Sequence, residues 1–392
     1  MRADVLVVGA GLAGLWTATR LAGRGHDVVL ADRRTRLDTT VRTTGIFVRR
    51  TLEDFDLPPE HLGPPIRRMV LYPPSHRGPV TLDSPHDEFR VGDMAPLYLT
   101  LADRALAAGV RLRLGTRYAG RRGGRHVLHG PDGPLEVQAT FVVGADGARS
   151  AVARELGLDR NRELLVGAEE VYPVPALAAR PGTVPAFHCV LDPRLAPGYL
   201  AWVLDDGEHA HVGVAGYADR YPHGIVDALG RFAATAPGLA GVPRPEAVER
   251  RAGPIPVGGL LRRIASPHGL LVGDAAGAVS PLTAGGLDPC LRLSDHAADV
   301  LDRALRTGDR RELARYDGAA LRARFRGRLT MRRGLSLVRT PAMAAAGVAA
   351  LRTPPGRAAA RRVLFGHGSF PDPRTAPSGP ASHALAIPGL HG

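Results

Sequence analysis

Three stretches rich in glycine and aspartate could hold an anionic, sugar-bearing ligand. The first, Gly9-Ala10-Gly11-Leu12-Ala13-Gly14, follows the apolar run Val5 to Val8 and precedes Leu15, Ala18, Thr19 and Ala22 at helical spacing; Asp32 then closes a second apolar run. Each glycine has its own reason: Gly9 permits the tight turn, Gly11 lets the backbone approach a pyrophosphate, and Gly14 lets helix and strand pack closely. The helix N-terminus, with Leu12 and Ala13 in its first turn, points amide donors at the anion. Asp32 can accept from both hydroxyls of an adenosine ribose, and Arg33 beside it could clamp adenine or a phosphate. Strand, glycine turn, helix, strand and terminal acid in this order form a βαβ dinucleotide unit.

The second stretch, Gly144-Ala145-Asp146-Gly147, and the third, Gly273-Asp274-Ala275-Ala276-Gly277, each follow an apolar strand-like run. Each Asp is an acceptor at a strand end, where a sugar hydroxyl can donate. Pro281-Leu282-Thr283-Ala284-Gly285-Gly286-Leu287 comes next, and Asp288-Pro289 has the form of an N-cap followed by proline at the first helical position, which predicts a helix from Pro289 to Leu305.

The rest of the 392 residues must bring these stretches together. That length suits two or three domains and a sizeable core, and 44% hydrophobic with 23% charged residues is an ordinary globular composition. All 51 basic residues are arginine, which excludes a Walker lysine and a pyridoxal Schiff base. The net charge of +13 is scattered, with no basic tract or recognition motif, so nucleic-acid binding is not expected. Cys189 and Cys290 form no CxxC pair, and no Cys/His cluster has metal-ligand spacing, so neither a disulfide framework nor a metal site is expected. The longest uncharged apolar run, Pro341 to Leu351, is far short of the roughly 18 residues of a membrane span. The first strand begins by Val5, leaving no room for a cleavable leader; the expectation is a cytoplasmic protein.

Short alternating runs at Ile66 to Tyr72, Val80 to Leu82 and Glu88 to Val91 predict an antiparallel excursion, followed by a helix over Pro96 to Ala108 and a strand over Val110 to Leu114. A small meander around Val127 and Leu135 to Val137 leads into the strand Thr140 to Val143. Ala186 to Leu191, Tyr199 to Leu204 and His209 to Gly216 read as strands, Gly230 to Leu239 as a helix, and Arg310 to Leu337 as one long helix. The Pro-, Ser-, Gly- and Ala-rich segment after Pro371 reads as poorly ordered.

Taken in order, the three glycine and aspartate motifs resemble those of the flavoprotein hydroxylase and geranylgeranyl reductase superfamily over about residues 4 to 300. The resemblance implies FAD in a p-hydroxybenzoate-hydroxylase-like α/β fold. A Rossmann-like FAD-binding domain would comprise 1–65, 92–162 and 266–306, an antiparallel β-sheet substrate domain 66–91 and 163–265, a helical C-terminal region 307–370, and a tail 371–392. It also implies that Asp146 and Gly147 sit near the pyrophosphate and that Asp274, after Gly273, takes a ribityl hydroxyl. Pro281, Gly285, Gly286 and Leu287 would pass beside the isoalloxazine ring, where amide donors stabilise negative charge developing at N1 and O2.

Gly277 stands where the aromatic hydroxylases usually carry histidine, which aligns the chain with the reductase branch. Tyr199 and Trp202, followed by Val212-Gly213, partly match that branch's Tyr-x-Trp-x-Phe-Pro and Val-Gly pattern and are candidate cavity walls. One of His188 and Cys189 would face the cavity, since successive strand residues alternate. Thr43-Thr44-Gly45 replaces the branch's Cys-Gly, which removes thiol-dependent proton delivery and leaves Thr44 and Gly45 as the residues beside the flavin; Gly92-Asp93-Met94 replaces an expected arginine. The implied reaction is hydride transfer from reduced flavin to a carbon–carbon double bond of a hydrophobic, isoprenoid-like substrate. With no second GxGxxG unit, a transient NADPH or a ferredoxin would reduce the flavin. Monooxygenation of an aromatic or polyketide-like compound and a redox-neutral cyclisation or isomerisation are the alternatives. A lipid substrate would also permit peripheral membrane contact through the arginine-rich C-terminal helices.

Overall fold

A computed structural model describes residues 1–173, 185–237, 239 and 246–365. The first sheet is built on Arg2–Val8, which pairs in parallel with Val28–Ala31 on one side and Gly133–Gly144 on the other, with Val5 opposite both Val28 and Phe141. Gly269–Leu271 and Arg111–Arg113 extend it, again in parallel. Val5, Leu6 and Val7 are fully buried, as expected of a parallel strand covered on both faces. The helix Leu12–Ala22 packs against Met94–Ala107 and Leu287–Thr307. The expected meander forms as Arg117–Arg122, Arg125–Gly130 and Gly133–Gly144, and its third strand continues unbroken into the parallel sheet.

The second sheet has seven strands in the order Glu249–Pro256, Leu164–Pro173, His209–Gly216, Ala201–Asp205, Ala186–Val190, Arg68–Tyr72 and Val80–Asp83. Its pairs are antiparallel except Ala186–Val190 with Arg68–Tyr72. The helix Gly224–Thr235 covers one face, burying Leu229 and Phe232 against Val203, Val212 and Val214. Ile46–Val48 and Phe89–Val91 make a separate two-stranded ribbon.

Three expected helices differ from the observed ones. The predicted Pro289 to Leu305 helix is Leu287–Thr307, with Gly286 at the N-cap. Proline is tolerated throughout the first turn, where its missing N–H has no acceptor to lose. Asp288 does not cap; it is buried, accepts from Thr51 Oγ at 3.0 Å and pairs with Arg292 at 2.8 Å. The single helix expected over Arg310 to Leu337 is a short 3₁₀ segment, Arg310–Arg315, followed by Ala319–Ser336, because Gly318 adopts φ +66° and turns the chain. The helix expected over Gly230 to Leu239 starts earlier, as Gly224–Thr235. Part of the expected C-terminal region and the tail lies outside the described residues.

Candidate functional site

The C-terminal ends of the parallel strands open onto a cavity of about 1130 Å³ that runs to the face of the seven-stranded sheet. Gly9, Gly11, Leu12 and Ala13 form one wall. Gly9 has φ +103°, and a Cβ on Gly14 would lie 1.7 Å from the Gly9 carbonyl oxygen, so Gly14 makes the helix-to-turn contact and does not line the cavity. Asp32 accepts from the Ala10 amide at 2.7 Å and from Arg34. Burial opposes its charge, but these bonds and the Arg34 guanidinium hold it below the usual carboxylate range. Arg34, not Arg33, is therefore the partner of the acid; Arg33 is exposed on the cavity rim.

Asp146, Gly147, Gly273 and Asp274 line the middle of the cavity. Asp146 Oδ2 accepts from the Ala151 and Val152 amides at 2.6 and 3.2 Å, capping a short helix, while its Oδ1 is buried with no hydrogen-bond partner among the described residues. Burial pushes the Asp274 carboxyl up to about 6, with no bond or charge among the described residues to offset it. Cβ atoms built on Gly11 and Gly147 would meet no protein atom within 4 Å. Two open glycine faces and two acceptors without donors among the described residues fit a pyrophosphate and a polyol, the two parts of FAD that need them. Gly285, Gly286 and Leu287 also line the cavity, at the N-terminus of the 21-residue helix Leu287–Thr307. Pro281 and Gly45 do not; a Cβ on Gly45, at φ +85°, would meet the Gly92 carbonyl oxygen at 2.6 Å.

At the far end the cavity is bounded by the seven-stranded sheet and the ribbon. Ile46, Val48, Met69, Phe89, Phe187 and Leu364 give it an apolar lining. Tyr199 and Trp202 also line it, Tyr199 from the turn before its strand; its hydroxyl donates to the Thr283 carbonyl at 2.5 Å and the Arg332 guanidinium lies 5.5 Å over its ring. His188 is not among the lining residues, because the pleat turns Phe187 to the cavity and His188 to Tyr72, whose hydroxyl is 3.0 Å from its Nδ1. Burial pushes the His188 imidazole down to about 4.

The motifs did not reveal one polar cluster in this wall. Glu169, buried on Leu164–Pro173, accepts from Thr44 Oγ, from Trp202 Nε1 at 3.1 Å and from Arg251 at 3.3 Å. His211 Nδ1 is 3.2 Å from Glu169, and its Nε2 is 2.9 Å from Asp206. Burial disfavours the imidazolium, but the two carboxylates push it up to about 9. Gly213 explains how Trp202 reaches Glu169: a Cβ there would lie 2.2 Å from the indole ring, so only glycine lets the ring cross the neighbouring strand. The available signal was Glu169 on the same face of its strand as Val171, whose side chain is buried, while the adjacent Glu170 takes the other face.

A parallel sheet with this glycine and aspartate cradle, facing an antiparallel sheet across one cavity, defines a FAD-dependent oxidoreductase. Residues 4–72 match the FAD dependent oxidoreductase family and residues 66–192 the FAD binding domain family. A digeranylgeranylglycerophospholipid reductase of Methanothrix thermoacetophila is 31% identical over 326 residues, covering 79% of this chain and 80% of the relative. A protein of the same name in Methanopyrus kandleri is 33% identical, covering 79% of this chain and 83% of its own. In structure, a geranylgeranyl bacteriochlorophyll reductase-like protein of Thermoplasma acidophilum superposes with a TM-score of 0.79 at 20% identity, covering 93% of this chain and 96% of its own. The chain belongs to the geranylgeranyl reductase family of FAD-dependent oxidoreductases.

Proposed function

We propose that this protein reduces carbon–carbon double bonds of an isoprenoid lipid. The observation that carries the reading is the composition of the cavity along its length. Its near end offers acceptors and open glycine faces to a dinucleotide, and its far end offers Ile46, Val48, Met69, Phe89, Phe187 and Leu364 to a hydrocarbon. Typical pockets for one drug-sized ligand span about 300–1,000 Å³; a cavity of about 1130 Å³ exceeds that range.

FAD, when bound, supplies hydride-transfer chemistry. The chain's own part is to hold and polarise it. Gly9, Gly11, Leu12 and Ala13 would face the pyrophosphate with the helix N-terminus behind them, and Asp32 the adenosine ribose. Asp146 and Asp274 would accept from sugar and ribityl hydroxyls. Gly285, Gly286 and Leu287 would present the N-terminus of the long helix to the ring, where its partial positive charge favours an anionic reduced state. Tyr199 and Trp202 would border the reacting double bond. The names of the relatives support an isoprenoid as the substrate, and an external NADPH or reduced ferredoxin would supply the electrons.

The test is anaerobic. Holoprotein reduced with dithionite is mixed with a geranylgeranyl ether lipid in detergent micelles, and flavin absorbance is followed. Reoxidation with oxygen excluded is the expected result. Flavin that stays reduced until oxygen is admitted would overturn the reading in favour of a monooxygenase.

A further inference from the structure

Reduction of a double bond by hydride needs a second proton, and Thr44 occupies the place where a thiol would have supplied it. Resting on the reading above, we propose that Asp206, His211 and Glu169 form a proton relay from the surface turn at residues 206–209 to the cavity, with Glu169 as the proton donor to substrate. The three groups are continuous: Asp206 Oδ2 to His211 Nε2 is 2.9 Å, and His211 Nδ1 to Glu169 Oε1 is 3.2 Å. They also span the sheet from outside to inside. The Asp206 side chain is 12% exposed, beside His209 at 34%, whereas His211 and Glu169 are 2% and 4% exposed and Glu169 lines the cavity.

An imidazole bonded through both nitrogens between two carboxylates is the arrangement proton conduction requires, since it can release at Nδ1 the equivalent of what it receives at Nε2. A purely structural role explains the burial less well, because a buried ionic cluster is often no more stabilising than apolar packing. Thr44 and Trp202 donate to Glu169 Oε2, and Arg251 to Oε1, so the carboxylate is held in place. The balance is simple. One carbon of the double bond receives a hydride, that is two electrons and a proton, from the reduced flavin. The other receives the proton of the His211 imidazolium relayed through Glu169, whose carboxylate these donors hold, against its burial, below its usual range and which takes the Nδ1–H proton as it hands one to the substrate; His211 recovers its own through Asp206 from water. Glu169 is the catalytic residue here, and His211 and Asp206 act through it.

The other ionisable groups around His211 are Asp205 and His209 on the turn, Arg251 across the sheet and Asp93 facing Asp206. The two carboxylates raise the imidazole to about 9, so it is charged at neutral pH. Its supply of protons, and the reduction rate, should fall as pH rises through that region.

The experiment has two arms on the full chain. In the first, ¹⁵N NMR of the histidine side chains without cofactor follows His211; the expected midpoint is near 9 in the wild type, and lower in Asp206→Asn. In the second, the anaerobic geranylgeranyl lipid reaction is measured for the wild type, Glu169→Gln and Asp206→Asn. General acid catalysis contributes about 10²–10⁴-fold, so Glu169→Gln should slow product formation at least about 100-fold with FAD affinity unchanged. Asp206→Asn, at the surface end where folding is least at risk, should lose activity at lower pH than the wild type. An active wild type with an equally active Glu169→Gln, an unmoved pH limb in Asp206→Asn, or a His211 neutral at pH 7 would each overturn the relay alone. An inert wild type would overturn the double-bond reading and the relay with it.

Discussion

Asp274 should trade stability of the empty protein for affinity toward its cofactor, and Asp274→Asn separates the two. Burial pushes its carboxyl from 3.8 up to about 6, with no partner among the described residues to counter it. A carboxyl whose folded pKa lies above its unfolded value favours the fold when protonated and loses that advantage as pH rises through about 6. At about 1.36 kcal/mol per pKa unit, holding the ionised group in the empty fold costs about 3 kcal/mol at pH 7.5. The amide carries no such cost, so cofactor-free Asp274→Asn should melt several degrees above the wild type at pH 7.5, and the difference should vanish toward pH 4. Affinity should move the other way. A hydrogen bond to a charged acceptor contributes about 1.5–3 kcal/mol and a neutral one about 0.5–1.5, so FAD should bind about 5- to 13-fold more weakly. Thermal unfolding of apoprotein across pH 4–8, with FAD titration followed by flavin fluorescence, measures both. An apoprotein no more stable than the wild type at pH 7.5, or one that binds FAD equally well, would refute the assignment of Asp274 as an acceptor kept for the cofactor.

Gly11→Val should leave apoprotein melting nearly unchanged, because its Cβ meets no protein atom within 4 Å, yet abolish FAD retention on gel filtration. Gly14→Ala should instead lower the melting temperature, since its Cβ would lie 1.7 Å from the Gly9 carbonyl oxygen. His211, raised from 6.5 to about 9, contributes stability that is complete below pH 6.5 and lost as pH rises to 9; the wild type should lose melting temperature between about pH 6.5 and 9, and Asp206→Asn should lose less of it. Asp288→Ala takes from the buried Arg292 one of the two carboxylates, Asp288 and Asp54, that pair with it at 2.8 Å, and should destabilise by less than the about 3–5 kcal/mol of a fully stranded buried charge in denaturant titrations.

The βαβ unit was legible in the sequence because its signal is local. Val5 to Val8, the three glycines and Asp32 lie within one short stretch, and each is constrained by a neighbour close in the chain. The start of the helix at Leu287 differs from the reading because Asp288-Pro289 satisfies the rule for an N-cap and first position, while Asp288 instead pairs with Arg292 one turn on and accepts from Thr51, a residue 237 positions away. Glu169, His211, Trp202 and Thr44 were illegible as a group for the same reason: they come from three strands and a loop, and only strand register brings them together. Trp202 was singled out by its motif, but the role of Gly213 beneath its ring emerges only once the strands are paired. His188 was the opposite case, a residue with suitable chemistry that the pleat turns away from the cavity toward Tyr72. Arg33 and Arg34 could not be told apart by type, and the geometry of the turn gives Asp32 to Arg34.

The most direct measurement is the mass of the product. Dithionite-reduced holoprotein and a geranylgeranyl ether lipid, incubated without oxygen, should yield lipid heavier by two hydrogens for each flavin reoxidised. Lipid of unchanged mass beside reoxidised flavin, or lipid that gains an oxygen when air is admitted, would contradict the account of this protein as a reductase of isoprenoid double bonds.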